Sequence, residues 1–418
     1  MLNFDERTGP DLGVSYPNLE IPQWWQDAKL GFFIHLGLFS IPAWAITGDD
    51  PVAVEDEYAY HRYAEWYGNT VRIPGSPTWK HHREVYGEGT SYEDLAELWK
   101  IQREAVEQLV DAIAATGAKY VVPTTKHHDG FCLWDTQTTS FNSVKRGPKL
   151  DIIDAVVARA RANQMRVGLY YSGALDWHVS DQPPIQSDRE LFLFRRHDES
   201  FSRYCSTQLS ELIERYAPDV LWNDIEWPDG GKGPEEYGLA ALFAKYFAAV
   251  PDGAINDRWG VPVRSFSTRE YRKIDELLPY PWEATRGLAR SFGYNAADTE
   301  ENSLSGAELI RYFVDVVAKN GNLLINVGPR ADGSIPEVQL QAMRELGEWM
   351  KVFGDFIYGT RPYREGIIEG HAYLEKDGQI FVFAASGEEV VLPPELAERN
   401  FELVSEDSKY PLTVARIR

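Results

Sequence analysis

The feature that most constrains the fold is a repeated pairing of a short apolar run with a helical pattern. The runs are rich in apolar residues and turn polar only where they end. They lie at residues 28–37, 119–131, 166–173, 219–228 and 322–329. Strands that alternate with helices in this way form parallel sheets. About seven or eight such units favour a (β/α)8-like, TIM-type barrel of the α/β class.

A doubly wound parallel sheet is the alternative architecture, but no glycine-rich phosphate-binding fingerprint follows the first run. After Gly359 the pattern changes to short strand-like stretches, among them a hairpin with an Asp377-Gly378 turn. We therefore predict a catalytic barrel over residues 1–358 and a small C-terminal β domain over residues 359–418.

The charge and the aromatic content narrow the class of ligand. The formal net charge is −22, which argues against nucleic acid and against an anionic membrane surface, because both attract basic patches. The chain carries 13 Trp and 22 Tyr, and carbohydrate sites use aromatic faces against the apolar face of a sugar ring. A large aromatic core accounts for most of these residues. A neutral or cationic ligand fits better than a polyanion.

The N-terminal region and the cysteines bear on the compartment. Residues 1–22 contain no basic segment followed by an apolar stretch, so we expect no signal peptide. No run approaches the roughly 20 apolar residues that span a bilayer. Cys132 and Cys205 are too few for a disulfide framework and leave a single bridge open. We expect a cytoplasmic protein; a homo-oligomer is compatible with the sequence, but no pattern indicates one.

Polar side chains gather where the predicted strands end, which in a parallel barrel is the catalytic face. Period-two alternation places Val220, Trp222 and Asp224 on one face of a strand. A lone aspartate at a strand end caps the following loop about as often as it acts in catalysis. Several strands with polar ends favour catalysis here. The further candidates are Arg258, Glu270, His35, His127, His128 and Tyr171 at strand ends, and Glu65 and Trp66 in a long loop insertion over residues 42–89.

Two carboxylates among aromatic walls suit hydrolysis of a glycosidic bond. One carboxylate attacks or stabilises an oxocarbenium-like centre while the other carboxyl protonates the leaving oxygen. Arg258 is expected to keep Asp224 ionised. The charge of Asp224 is expected in turn to hold a proton on Glu270.

The histidines admit a second interpretation as metal ligands. Adjacent residues on a strand point to opposite faces, so His127 and His128 are not expected to share one ion. We expect neither a metal nor a cofactor. His35 stands at a polar strand end beside aromatic residues, which favours a hydrogen bond to a substrate hydroxyl over a role in the core.

Five segments resemble motifs of the α-L-fucosidases of glycoside hydrolase family 29. They are AKLGFFIH at 28–35, TKHHDGF at 125–131, GLYYS at 168–172, DVLWND at 219–224 and KNGNLLIN at 319–326. The resemblance covers roughly residues 20 to 355 in the family's order. It implies a (β/α)8-like barrel with a C-terminal β-sandwich, a retaining mechanism and no cofactor.

The resemblance also implies a role for individual residues. Asp224, in the Trp-Asn-Asp motif, stands at the position of the nucleophile. Glu270, in a Thr-x-Glu-Tyr setting, matches the acid/base, with Glu65 as the alternative because the family varies most here. Phe292 suits packing against the C6 methyl group of fucose. The implied fucose pocket is lined by His35, Glu65, Trp66, His127, His128, Tyr171, Trp222, Arg258 and Phe292.

Three features depart from the family pattern. Leu36 follows the strand-end histidine where Trp is usual, Glu226 stands where Gly is common, and the region from Gly359 to Arg418 is short. The first two lie near the site, so they leave the leaving-group preference and the identity of the acid open.

Taken together, the residues and the resemblance predict a retaining exo-α-L-fucosidase. It would release terminal α-L-fucosyl groups from a fucosylated glycan or glycoside through a covalent fucosyl-enzyme. The alternatives are another retaining glycosidase, for example one directed at galactosides, and a catalytically silent sugar-binding barrel.

Overall fold

The computed structural model describes residues 13–48, 51–405 and 409–417. The expected absence of a signal peptide concerns residues 1–22, of which 1–12 lie outside the described residues. Within the described part, no helix combines the length and apolarity needed to cross a membrane. Cys132 and Cys205 are both buried free thiols.

Eight parallel strands form one curled sheet, in the order β5-β4-β3-β2-β1-β8-β7-β6. Most of its residues are buried, as expected of apolar strands covered on both faces. The strands are β1 (Leu30–Ile34), β2 (Tyr120–Lys126), β3 (Arg166–Ser172), β4 (Val220–Asp224), β5 (Ala254–Ile255), β6 (Ser267–Glu270), β7 (Trp282–Gly287) and β8 (Gly321–Val327). The predicted barrel-like α/β class is confirmed.

Helices occupy most of the connections between these strands. Their starts follow ordinary capping chemistry: Asp151 caps α5, and Ser305 with Glu308 forms a capping box on α9. The α-helices are α1 (Gln23–Ala28), α2 (Tyr67–Thr70), α3 (Pro77–Tyr86), α4 (Arg103–Ala115), α5 (Ile152–Ala162), α6 (Asp188–Leu193), α7 (Glu199–Tyr216), α8 (Leu239–Ala249), α9 (Gly306–Ala318) and α10 (Glu337–Phe353). The insertion over residues 42–89, predicted as a loop, contains α2 and α3.

Strand register decides which side chains point into the barrel. Gly168 pairs with Val220, Tyr170 with Trp222 and Ser172 with Asp224. Tyr170, Val220 and Trp222 belong to one buried cluster with Phe33 in the barrel interior. Trp222 stacks on Tyr170 at 5.7 Å between ring centroids. A layer of aromatic side chains therefore lies directly beneath the carboxyl ends of these strands.

Among the described strands, no ladder pairs the two ends of the sheet, although irregular hydrogen bonds such as Ser265 N to Ile255 O at 2.8 Å join them. β5 and β6 stand at the two ends of the strand order, and we call the gap between them the seam. The connections 256–266 and 271–281, both fully described, contain no α-helix. β5 has only two residues, because the strand predicted over 254–259 ends at Ile255. Arg258 therefore lies on an irregular segment beside the seam.

The C-terminal region forms a second, antiparallel sheet in the order β12-β13-β11-β10-β9. One face packs on the barrel helices, as Trp349 of α10 against Phe383 of β11 illustrates. Its strands are β9 (Arg361–Ile368), β10 (His371–Lys376), β11 (Gln379–Ala385), β12 (Phe401–Ser405) and β13 (Leu412–Ile417). Asp377 and Gly378 have φ of 51° and 77°, as the predicted two-residue hairpin turn requires. The domain boundary at 358/359 stays a prediction.

Candidate active site

Asp224 and Glu270 meet across the seam through one arginine. Asp224 ends β4 and Glu270 ends β6. Arg258 donates from Nη1 to Asp224 Oδ1 at 3.0 Å and from Nη2 to Glu270 Oε2 at 2.9 Å. Its Nε donates to Thr268 Oγ1, and its guanidinium lies over the Trp222 ring at 4.8 Å. Both predicted carboxylates are thus oriented by a cation that is itself held on two sides.

Asp224 is surrounded by groups that stabilise its negative charge. Tyr170 donates from its hydroxyl to Oδ2 at 2.9 Å, and the Ile225 amide donates to Oδ1 at 3.0 Å. Burial raises the pKa of Asp224, but the Arg258 charge and the hydrogen bonds from Arg258 and Tyr170 outweigh burial and lower the pKa below its ordinary value. Asp224 is therefore ionised at neutral pH, the state that a nucleophile needs.

Glu270 is the more open of the two carboxylates, with 31% of its side chain exposed against 14% for Asp224. From the sequence, the charge of Asp224 was the one charged neighbour expected beside Glu270. The structure adds Arg258 between the two, and this cation offsets that charge. Its exposure leaves Glu270 accessible to a leaving group or to water at the seam.

Three buried histidines line the opposite side of the site and are neutral. Burial lowers the pKa of His35 to about 3 and that of His128 to about 4, and it lowers the pKa of His127 well below its usual range. His35 Nδ1 lies 2.7 Å from Asn326 Oδ1, and the Asn326 amide nitrogen donates to Phe292 O. Nδ1 of His35 must therefore carry the proton, which leaves Nε2 as an acceptor.

His128 has the same tautomer for a similar reason. Ser172 donates its hydroxyl proton to Leu175 O, so His128 Nδ1 is the donor in its 2.8 Å contact with Ser172 Oγ. Its Nε2 lies 3.9 Å from Asp224 Oδ2. His127 Nδ1 is buried without a hydrogen-bond partner in the described part of the chain. Buried polar atoms are rarely left unpaired, so His127 Nδ1 is a natural place for a substrate hydroxyl.

His127 and His128 lie side by side, contrary to the prediction from strand alternation that they point to opposite faces. β2 ends at Lys126, so alternation does not extend to His127 and His128, and their ring centroids lie 4.0 Å apart. Across residues 13–48, 51–405 and 409–417, no group of three or more His, Cys, Asp or Glu side chains is arranged to hold a metal ion.

Glu65 and Trp66 come to the site from the insertion after β1. Glu65 is buried, and its carboxylate accepts from the backbone amides of Phe292 at 3.3 Å and Gly293 at 2.8 Å. Burial raises the pKa of Glu65 to about 7, against the lowering effect of these hydrogen bonds. Trp66 packs against His128 at 5.5 Å. Glu65 therefore fixes the backbone that carries Phe292.

Phe292 forms the apolar wall of the site. Its ring lies 4.9 Å from His35, 6.4 Å from Phe33 and 5.4 Å from Tyr271, measured between centroids. The His35–Asn326–Phe292 and Glu65–Phe292 hydrogen bonds hold this wall from two sides. A rigid aromatic wall opposite neutral histidines suits a ligand with one apolar and one hydroxylated face.

The structure does not bring Tyr171 to the site. Tyr171 points out of the barrel, where its hydroxyl donates to Gln208 Oε1 of α7 at 2.7 Å and accepts from Lys126 Nζ at 3.1 Å. Tyr170 reaches Asp224 instead. The pairing of Tyr170 with Trp222 gives the reason, because residues paired in a parallel ladder share a face.

A further acidic residue beneath the site was missed. Glu283, on β7, accepts from Tyr120 Oη at 2.6 Å and from Trp222 Nε1 at 2.8 Å. Burial raises the pKa of Glu283 to about 7. It fixes the indole on which Arg258 rests. The available signal was an acidic residue between two apolar residues, Trp282 and Ala284, in a short strand.

Comparison with known proteins points to one family. The sequence model of the α-L-fucosidase family matches residues 14–355. The chain is 30% identical over 357 residues to an α-L-fucosidase of Dictyostelium discoideum, covering 82% of this chain and 73% of that protein. It is 32% identical over 356 residues to the plasma α-L-fucosidase of Homo sapiens, covering 82% and 71%.

Solved structures agree with the sequence comparisons. The α-fucosidase of Thermotoga maritima superposes with a TM-score of 0.84 at 38% identity, covering 96% of this chain and 97% of that one. An α-L-fucosynthase from the same organism, in complex with α-L-Fuc-(1-2)-β-L-Fuc-N3, gives a TM-score of 0.86 at 38% identity with the same coverage. The chain therefore belongs to the α-L-fucosidases, the enzymes of glycoside hydrolase family 29.

Proposed function

We propose that this α-L-fucosidase is a retaining exo-enzyme that releases terminal α-L-fucosyl groups by double displacement. Asp224 is the nucleophile and Glu270 the acid/base. The observation that carries the proposal is the bridge from Arg258 to both carboxylates, at 3.0 and 2.9 Å. Retaining enzymes keep their two carboxyl groups about 5–5.5 Å apart, whereas inverting enzymes leave about 6.5–9.5 Å for a water. A separation spanned by one guanidinium group favours the shorter distance.

In the first step, a carboxylate oxygen of Asp224 forms a bond to the anomeric carbon as the bond to the leaving oxygen breaks. Glu270 gives its proton to that oxygen and becomes a carboxylate. In the second step, water attacks the anomeric carbon, Glu270 takes the water's proton, and the bond to Asp224 breaks. Arg258 supports both steps because it stabilises whichever of the two carboxylates carries charge.

The shape of the site supports fucose as the group transferred. Fucose carries hydroxyl groups on one side and a methyl group at C6. The neutral acceptors His35 Nε2 and His128 Nε2 and the unpaired His127 Nδ1 suit hydroxyls. Phe292 suits the methyl group, since it offers apolar surface and no hydrogen bond. The relative from Thermotoga maritima was solved with a fucosyl disaccharide derivative.

The stereochemistry of the product tests the mechanism. We expect proton NMR, recorded during the first minutes of hydrolysis of an aryl α-L-fucoside, to show α-L-fucose before the β-anomer appears by mutarotation. Double displacement inverts the anomeric centre twice, so it retains the configuration. Initial release of β-L-fucose would exclude a fucosyl-enzyme intermediate and overturn the proposal.

A comparison of aryl glycosides tests which sugar the site accepts. An aryl α-L-galactoside differs from the matching α-L-fucoside by one hydroxyl at C6. We expect kcat/KM to fall by about 10- to 100-fold for the galactoside, because an apolar pocket rejects an added hydroxyl only moderately. Equal or faster hydrolysis of the galactoside would favour the galactoside-directed alternative. No hydrolysis of any aryl glycoside would favour the silent sugar-binding barrel.

A further inference from the structure

The turn that follows the nucleophile has an unusual backbone. Ile225 and Glu226 both lie in the left-handed region, with φ of 57° and 60°. Residues with side chains adopt this region rarely, and β-branched residues such as isoleucine most rarely. Such a conformation persists only where the surroundings hold it in place. Two of these residues in succession, directly after Asp224, therefore need a structural cause.

This turn is coupled directly to the carboxylate of Asp224. In the observed conformation, the Ile225 amide donates to Asp224 Oδ1 at 3.0 Å, the oxygen that also accepts from Arg258. If Ile225 left the left-handed region, its N–H would point elsewhere. The conformation of the turn therefore sets one of the hydrogen bonds that orient Asp224.

A buried ion cluster sits on the far side of the turn. The Glu226 carboxylate lies 3.2 Å from Lys232 Nζ and 3.7 Å from Arg195 Nη1. Glu226, Lys232 and Arg195 are 7%, 6% and 5% exposed. A buried charge is costly unless it is paired, so moving the Glu226 side chain away from these cations is strongly disfavoured. We call Glu226, Lys232 and Arg195 the latch.

Two glycines leave space for the latch, and a backbone hydrogen bond connects Glu226 to the segment that follows β3. Ala174 N donates to Glu226 O at 3.0 Å, and a Cβ at Gly173 would lie 1.9 Å from that oxygen. A Cβ at Gly260 would lie 2.8 Å from Glu226 Oε2 and 2.7 Å from Lys232 Nζ. Glycine is therefore needed at both positions, after β3 and after β5, for Glu226 to sit where it does.

We propose that Glu226 is a positioning residue for the nucleophile, whose ion pairs in the latch hold the left-handed turn and so aim the Ile225 amide at Asp224. Glu226 touches no reacting atom in this scheme and acts through the backbone alone. The inference rests on the proposed role of Asp224. Inactivity of Asp224→Ala tests that role independently of any change at residue 226.

The decisive experiment compares Glu226→Ala with Glu226→Gly. Alanine removes the latch and keeps the side-chain penalty on the left-handed region, whereas glycine removes both. We expect kcat for an aryl α-L-fucoside to fall by about 10- to 100-fold in the alanine variant, with KM changed by less than about twofold. We expect the glycine variant to recover most of that kcat. A latch that served stability alone would give equal kcat values in the two folded variants, and this result would overturn the proposal.

If Glu226→Ala does not fold, a second variant still tests the proposal. Lys232→Met removes the closer ion pair of Glu226, together with the pair of Lys232 with the exposed Asp229 at 2.7 Å, and leaves residue 226 unchanged. We expect it to lower kcat with KM little changed, and to have no further effect when combined with Glu226→Gly, because the two then act on one interaction. The control is Glu199→Ala, which removes an exposed ion pair to Arg203 on α7 and should keep wild-type kcat. Wild-type kcat in Lys232→Met would contradict the proposal.

Discussion

Asp224→Ala is expected to lower kcat for an aryl α-L-fucoside by about 10⁴-fold or more, in line with losses measured when a nucleophile is removed. The variant lacks the oxygen that forms the fucosyl-enzyme. It also leaves the Tyr170 hydroxyl without its acceptor and Arg258 with only part of its hydrogen bonding. The fold should survive, because Asp224 is the last residue of β4 and the substitution leaves the buried cluster of Tyr170, Trp222 and Phe33 unchanged. Thermal unfolding should show a midpoint shift of no more than a few degrees.

The chain offers a matched control at the opposite end of the same strand. Asp219 precedes β4, has 15% of its side chain exposed against 14% for Asp224, and also pairs with an arginine, Arg166, at 2.6 Å. Asp219→Asn should keep wild-type kcat, since it lies at the other end of the barrel from the site. A similar loss in both variants would indicate general damage to the strand.

Added azide gives the first experiment a chemical readout. In Asp224→Ala, azide can enter the space left by the carboxylate and attack the anomeric carbon directly. One displacement inverts the centre, so the product should be β-L-fucosyl azide. Full activity in Asp224→Ala without azide, or the absence of any rescue together with normal folding, would remove Asp224 from the nucleophilic role.

Glu270→Ala is expected to show the second-largest effect, and that effect should depend on the leaving group. For a poor leaving group such as an alkyl alcohol or a second sugar, kcat/KM should fall by about 10²- to 10⁴-fold, the usual contribution of general acid catalysis. For an activated nitrophenol, which leaves without a proton, kcat/KM should fall much less. Hydrolysis of the intermediate should then limit turnover, and azide should yield α-L-fucosyl azide, since two displacements have occurred.

Glu65→Gln separates the two candidate acids. The Glu65 carboxylate accepts from the backbone of Phe292 and Gly293, so its loss should disturb the methyl-binding wall for every leaving group alike. We expect a uniform drop in kcat/KM across the leaving-group series. A steep dependence on the leaving group in Glu65→Gln, with a flat response in Glu270→Ala, would transfer the acid role to Glu65.

Much of the fold could be predicted because apolar runs and capping residues report on local structure. The hairpin at Asp377-Gly378 and the helix opened by Ser305 needed only a few neighbouring residues. The short strand β5 could not be predicted in this way. Residues 254–259 read as a strand, but the chain leaves the sheet after Ile255. Where a strand stops depends on whether a neighbouring strand is present to pair with it, and at the seam Ile255 meets the irregular segment at Ser265 and Phe266 instead.

Prediction of the candidate site was limited in the same way, because residue types can be read locally whereas their contacts depend on the tertiary structure. Carboxylates and histidines at strand ends could be found from sequence, whereas the choice between Tyr170 and Tyr171 depended on register. The pairing of Tyr170 with Trp222 shows that Tyr170 faces the site. Register is a property of two strands together, so it could not be read from either strand alone. Likewise, Arg258 was expected beside Asp224 but not in contact with Glu270, whose surroundings it changes.

The seam has a mechanical consequence for this active site. Asp224 and Glu270 lie on opposite sides of the seam. Among the described strands, the ladder that connects β4 to β6 runs through β3, β2, β1, β8 and β7. Across the seam, the two ends of the sheet are joined by irregular hydrogen bonds, from Ser265 N and Phe266 N to Ile255 O and from Thr268 to the carboxylate of Asp257. Arg258 adds the hydrogen bonds that reach both carboxylates. The spacing of the two carboxylates, which in glycosidases distinguishes retention from inversion, therefore depends on these few contacts and on no strand ladder.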